Sequence, residues 1–349
     1  MSKGNTKFEF SDWVNNFNPR VTGLSAKKGT LFRYIPAIGV PVQLLKNDDG
    51  FSTNWSAAGE GDQASVYYVG TGDLMTIQSA IDLAFAEGSG TGGKIATIYI
   101  PPGSYTENLI FKPGQNLIAQ SSAVATGAIV IEGQHSYTPP VNPDPLDVLV
   151  SLQGITFYDP LVGHTVSLLG TEGALFSLSG CAFIKGSLTG SAMFSSIPVA
   201  IFVASECSST TYNSADPFID SASSVTVVQG CSHQAGGNGP MINCTGAAFT
   251  QFNRNECLGA PPYIASFSGG QVFMGFNNLV SFAADSDCLR VGAGCTVIAT
   301  HNTFTCPSGL GYVMQGVGAV NGAMLVYGDN NVKDPGLAFT LLSGDFCVP

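Results

Sequence analysis

The sequence predicts an all-β solenoid, a parallel β-helix, with one capping helix at its start and a small β module ahead of it. Three observations predict this fold. A short phrase recurs about every 25 residues between residues 152 and 332, which marks stacked units that cannot bury their own apolar faces. Short runs between the phrases, such as Val199-Ala200-Ile201-Phe202-Val203 and Val225-Thr226-Val227-Val228, are β-branched and too short for helices. Clusters of Gly, Ser, Asn and Pro separate them as turns.

The phrases read Leu152-Gln153-Gly154-Ile155, Leu178-Ser179-Gly180-Cys181, Ala204-Ser205-Glu206-Cys207, Val228-Gln229-Gly230-Cys231 and Arg254-Asn255-Glu256-Cys257, continuing at Asn277, Asn302 and Asn330. Each coil pairs with the next at about 4.8 Å. In the register that aligns the cysteines, Gln153, Ser179, Ser205, Gln229, Asn255, Asn277, Asn302 and Asn330 form one polar column, whose amides can bond up and down it. Two positions later Ile155, Cys181, Cys207, Cys231, Cys257, Leu279, Phe304 and Val332 form an inward apolar column.

Nine cysteines is an odd count. Four of them share the inward column, so they read as small buried side chains, and stacking leaves cross-linking between neighbours open. No pair has C-x-x-C spacing, so no metal or other cofactor is expected. Only 11% of the residues are charged, and 43 are Gly. Low charge on outer faces suggests that other chains cover some of them. The net charge of −11 is uneven. Lys3, Lys7, Arg20, Lys27, Lys28, Arg33 and Lys46 place a basic head on an acidic body, and the head is expected to dock on an acidic partner. An acidic body without basic runs excludes nucleic-acid binding. No apolar run is long enough to span a membrane, and the start lacks the pattern of a cleaved signal peptide.

Residues 1–65 hold both tryptophans. Leu31-Phe32-Arg33-Tyr34-Ile35 and Val42-Gln43-Leu44-Leu45, with the turn Asn47-Asp48-Asp49-Gly50, predict an antiparallel pair. The phrase Gly29-Thr30-Leu31-Phe32, leading through Val42-Gln43-Leu44-Leu45-Lys46 to Asn54-Trp55, resembles the short β modules at the head of bacteriophage and large-virus structural proteins, which implies an attachment module. The solenoid is assigned to residues 66–349. Within it, Leu74, Ile77, Ala80, Ile81, Ala84 and Phe85 form a helical stripe over about residues 73–87, with Asp73 as N-cap and Gly88 as stop. This helix is expected to cover the open end of the stack.

Thr76-Ile77-Gln78-Ser79-Ala80-Ile81-Asp82, Ile98-Tyr99-Ile100-Pro101-Pro102-Gly103-Ser104-Tyr105-Thr106-Glu107-Asn108-Leu109 and Asn116-Leu117-Ile118 resemble the entry into the pectin-lyase-like right-handed parallel β-helix, shared by pectin esterases, pectate lyases and phage tailspikes. The resemblance implies the handedness and the fold. It is silent on function, because catalytic and structural members share that opening. Residues 133–147 contain four prolines and are expected to project as a side loop. After the last expected strand, at residues 337–342, the end of the stack is expected to be closed by its own last loop or by a partner.

Hydrolysis of a polysaccharide needs two carboxylates flanking the bond. Glu206 and Glu256 are the best pair in the cysteine-aligned register, two coils and so about 9 to 10 Å apart. Asp285 and Asp287, with His301 about a coil later, form a second cluster that turn chemistry explains equally well. Lys185, Arg254, Arg290 and Lys333 stand outside any recognisable acid cluster, and His135, His164 and His233 are isolated. The paired-Asp and Arg motifs of pectin esterases and the signatures of polygalacturonases are missing, so the resemblance carries no catalytic residue onto this chain. The leading expectation is therefore a virion structural protein (spike, fibre or capsid-surface component), assembled in the host cytoplasm as a homotrimer. It would join other virion proteins through residues 1–65 and offer weak avid contacts to a host surface glycan. The alternative is a polysaccharide-degrading hydrolase or lyase of the tailspike type.

Overall fold

A computed structural model describes residues 64–305 apart from 71–73, 93, 121–128, 141–148, 236–238 and 284–285. Outside that range it describes Asn330 and backbone strands between Leu24 and Ala57 and between Tyr312 and Val348. The chain winds through three parallel sheets in turn. A first sheet of 12 strands runs from Ala64–Tyr68 to Phe346–Val348, and a second of 10 from Gly103–Thr106 to Asn331–Lys333. The third, also of 10, runs from Ile110–Phe111 to Leu337–Thr340. In every sheet each strand pairs with the strand one coil away, the pattern of a parallel β-helix.

One coil shows the construction. Leu175–Ser179 lies in the first sheet, Gly180 and Cys181 turn the corner, Ala182–Lys185 lies in the second sheet, and Met193–Ser195 in the third. Burial alternates along the strands: in Leu175–Ser179, Phe176 and Leu178 point inward while Leu175, Ser177 and Ser179 point outward.

The sharp corner between the first and second sheets explains the periodic phrase. Its first residue is left-handed in every described coil from 154 onward: Gly154, Gly180, Glu206, Gly230, Arg254, Phe276 and His301, with φ between 54° and 70°. Glycine takes this conformation freely, whereas another residue pays roughly 1–2 kcal/mol for it. The second corner residue points inward, and its file is Ile155, Cys181, Cys207, Cys231, Asn255, Asn277, Asn302 and Asn330. The first-sheet register places these corners over one another, with Ser179 on Ser205, Ser205 on Gln229, Gln229 on Asn253, Asn253 on Gly275 and Gly275 on Thr300.

This register corrects the cysteine alignment. Asn255 lies in the file of Cys231, not of Gln229, so thiols and amides share a single inward file. Cys181, Cys207 and Cys231 stack in it, but Cys257 belongs to the neighbouring file of the second sheet, between His233 and Leu279. The cause is Arg254. It occupies the left-handed corner usually filled by glycine, so the turn was hidden and the Asn-Glu-Cys phrase slid by two positions.

The lower half of the file is a buried amide ladder. Asn255 Nδ2 donates to Asn277 Oδ1 (3.1 Å), Asn277 Nδ2 to Asn302 Oδ1 (2.8 Å) and Asn302 Nδ2 to Asn330 Oδ1 (2.9 Å). Each Oδ1 also accepts a backbone N–H from the preceding coil, including those of Cys231, Asn255, Asn277 and Asn302. The same side chains donate to the carbonyls of Val228, Phe252, Met274 and Ala299. The tight corner leaves these backbone groups without sheet partners, and asparagine supplies both a donor and an acceptor. In the upper half, the Cys207 thiol is held well above its ordinary value by hydrogen bonds with Cys181 and Cys231 and by burial. It stays protonated and behaves as a small apolar side chain.

Helix α1 (Ile77–Ala86) crosses the start of the stack and buries Ile77, Ala80, Ile81 and Ala84. Its N-cap is Thr76, in a reciprocal capping box with Ser79, rather than Asp73, which lies outside the described residues. Phe85 is left outside, under the Lys112 ammonium. Glu107 accepts the N–H groups of Ile77 and Gln78, an anion at the positive end of the helix. Gln78 accepts from Ile110 N (2.8 Å) and donates to Ile110 O (3.3 Å), so one side chain satisfies both backbone groups on the third sheet's first strand.

Leu31–Tyr34 pairs antiparallel with Val42–Lys46, as its sequence predicts, and Trp55–Ala57 joins them. The expected side loop at 133–147 needs correction. His135–Tyr137 is a third-sheet strand with His135 and Tyr137 buried, because the prolines begin only at 139. Residues 141–148 lie outside the described residues. At the other end the chain adds one more strand than expected, Phe346–Val348, in the first sheet.

Candidate active site

The outer face of the third sheet carries a set of ionisable side chains. Its central outward file is Phe194, Asp220, Asn243, Ser266 and Arg290, one residue per coil. Beside it stand residues from the connections that lead into the same sheet, including His164 and Asp216.

A buried ion pair fixes those connections. Lys185 Nζ donates to Asp159 Oδ2 (2.5 Å) and to the carbonyls of Leu161 (2.9 Å) and Gly163 (2.5 Å), with both charged side chains fully buried. Asp159 also accepts from Leu161 N and Thr165 Oγ1. A buried charge pair is tolerated when its remaining bonds are made, and here they tie down the loop that carries His164. Gly190 in the next coil passes so close to Gly163 that a Cβ would lie 1.7 Å from the Gly163 oxygen. No other residue fits there.

On that platform His164 stacks on Phe194 at 4.0 Å with rings 5° from parallel. Its Nδ1 accepts the Ser191 N–H (3.0 Å), so the neutral ring carries its proton on Nε2. Burial lowers the His164 pKa, against the opposing pull of Asp220 and Asp216. Asp216 Oδ2 accepts the Gly190 N–H (2.5 Å). Asp220 accepts from Asn243 Nδ2 (2.9 Å). Burial pushes the Asp220 carboxyl above its ordinary value; Asn243 and His164 pull it down and the charge of Asp216 adds to the rise. Further along, Arg290 lies 4.6 Å over the Tyr263 ring while its Nε bonds Asp287 Oδ2 at 2.7 Å.

A carboxyl group raised by burial, with a second carboxylate adding to the rise, has the environment of a proton donor. Among the described residues no group of three or more His, Cys, Asp or Glu could hold a metal ion.

No protein-family model matches the chain, and no curated protein does. Solved structures do. The pectin methylesterase from Aspergillus niger, in its penultimately deglycosylated form, matches with 16% identity over 82% of this chain and 92% of that one, at a TM-score of 0.39. Its deglycosylated form matches with 15% identity over the same shares, at 0.38. The A-module of the Azotobacter vinelandii mannuronan C-5 epimerase AlgE4 matches with 12% identity over 81% of this chain and 100% of that one, at 0.39. The likeness is one of fold.

The residues singled out in the sequence fall elsewhere. Glu206 sits at a left-handed corner over Gly230 and Arg254, whereas Glu256 is the first residue of a second-sheet strand, paired with Ser232 and Asn278. They are not in one column and do not face each other as a pair. Asp285 and the side chains of Lys3, Lys7, Arg20, Lys27, Lys28 and Arg33 lie outside the described residues. Asp287 is engaged by Arg290, which therefore does belong to a charged cluster. His164 is not isolated, and His233 is a core residue, bonded to Ser209 Oγ (2.6 Å) and the Gly239 carbonyl (3.0 Å). Asp216, Asp220, Asn243 and Tyr263 escaped the sequence reading. The signal that could have found Asp220 and Asn243 is a polar residue recurring once per coil in the middle of the third-sheet strands.

Proposed function

We propose that the chain cleaves a polysaccharide on the outer face of the third sheet, with Asp220 as proton donor and Asp216 as the second carboxylate. The observation that carries this reading is the environment of Asp220: partly buried, oriented by Asn243, and raised by burial and by Asp216. In hydrolysis the glycosidic C–O bond breaks as Asp220 protonates the departing oxygen. Water adds at the anomeric carbon and gives its proton to Asp216. The stacked rings of His164 and Phe194 stand beside the carboxylates and give a sugar an apolar edge to pack against, and Arg290 offers a cation two coils beyond Asn243.

The test is release of reducing ends from a panel of bacterial and algal polysaccharides. Wild type is expected to cleave at least one, and Asp220→Asn to lose about 100-fold or more, the scale of a general acid. Asn243→Ala removes a bond that favours the charged form, so the alkaline limb of the pH profile should move upward. No cleavage across the panel, or cleavage indifferent to Asp220→Asn, overturns the reading.

The virion role is a second proposal, and its support is a surface. Leu175, Ile201, Val225 and Phe249 follow one another on the outer face of the first sheet, with Val203 and Val227 beside them. Ile201 is 41% exposed. Such a file suits burial against further copies, as in a trimeric shaft anchored by residues 1–65. Light scattering at micromolar concentration is expected to give the mass of three chains. A monomer would remove both the trimer and the shaft.

A further inference from the structure

The left-handed corner changes character along the rod. It is Gly154, Gly180, Glu206 and Gly230 in the earlier coils, then Arg254, Phe276 and His301 in three successive ones. A bulky side chain in this backbone region is strained where glycine would be free, and such strain persists where the side chain has a task. Phe276 is 63% exposed, so that task is not core packing. Its ring stacks on His301 at 5.0 Å and 17° from parallel, which builds an aromatic column over two coils.

A groove of about 340 Å³ opens beside this surface, on the first sheet's outer face. Arg254, Phe273 and Phe276 line it together with the amides of Gln229, Gln251 and Asn253. Flat rings, amides and one guanidinium are the contacts that an oligosaccharide with carboxylate or sulfate groups requires. Sugar C–H groups pack against the aromatic column, hydroxyls bond the amides, and the anion meets Arg254.

We infer that Arg254, Phe276 and His301 form a binding strip for an anionic saccharide, separate from the third-sheet carboxylates and independent of whether Asp220 acts as an acid. The strip would hold a long polymer on the rod while another stretch of it reaches the third sheet.

Affinity electrophoresis in gels containing polygalacturonate, alginate, chondroitin sulfate or neutral dextran tests this, using the full chain with Asp220→Asn to prevent cleavage. Retardation by at least one anionic polymer and none by dextran is expected. Phe276→Gly and Arg254→Gly should each weaken it about tenfold or more, with an unchanged or higher melting temperature because glycine relieves the corner. Absence of retardation by all three anionic polymers, or retardation equal in the variants, overturns the strip. So does a change of oligomeric state in Phe276→Gly, which would make the corner an interface between copies. Failure here leaves the Asp220 test untouched, since that test reads bond cleavage and this one reads binding.

Discussion

Replacing Asn277 with alanine is expected to cost about 3–5 kcal/mol of folding stability, among the larger losses open to a single polar side chain. Asn277 Oδ1 accepts from both the backbone N–H and the Nδ2 of Asn255, and its Nδ2 donates to the Phe252 carbonyl and to Asn302 Oδ1. Alanine fills none of these roles, and the groups left behind are buried at a corner where water cannot replace the amide. Leaving one buried donor or acceptor unpaired costs about 1–3 kcal/mol, and relaxation of the ladder recovers part of the sum. Asn277→Asp keeps the acceptor but loses the donor and adds a buried charge, so it should be at least as damaging. Urea unfolding of the two variants measures both. A loss below about 1 kcal/mol for Asn277→Ala would mean that the ladder fills space without holding the coils in register.

Lowering the pH from 6.5 to 4 is expected to remove a comparable amount of stability without any mutation. His135 and His233 are buried, and burial lowers each to about 4, opposed at His135 by the charge of Asp159 and at His233 by the bond to the Gly239 carbonyl. Their unfolded value is about 6.5. Between those limits the unfolded chain binds protons that the folded chain refuses, so stability falls as pH falls, and the loss is complete below the folded value. Each histidine contributes on the order of 3 kcal/mol to this loss. His164, also lowered, acts in the same direction. Asp220, whose folded value is raised, acts in the opposite one, because the folded chain holds its proton more tightly. Denaturation at a series of pH values should show the slope, and His233→Gln should remove close to half of it. A flat profile between pH 6.5 and 4.5 would mean that both rings become charged in place.

The two proposed carbohydrate sites divide the rod by face. The third sheet carries the ionisable groups, with loops pinned by Lys185 and Asp159. The corner after the first sheet carries the rings and the guanidinium. Both are built from residues that recur once per coil, so a single substitution removes one rung of a site and leaves its neighbours in place.

The coil period, the β class, the capping helix and the inward cysteines at 181, 207 and 231 were legible in the sequence. Each follows from a local rule: a repeated corner, alternation along a strand, or an apolar stripe on a helix. Which side chains meet outside the rod was decided only by the tertiary structure. Contacts between coils depend on register, and register depends on where each corner falls. Arg254, Phe276 and His301 hide three of those corners by taking a conformation that glycine announces and other residues conceal. A shift of two positions separated Glu206 from Glu256 and moved Cys257 into another file. Asp216, Asp220, Asn243 and Arg290 came together only once each coil had been laid over the next.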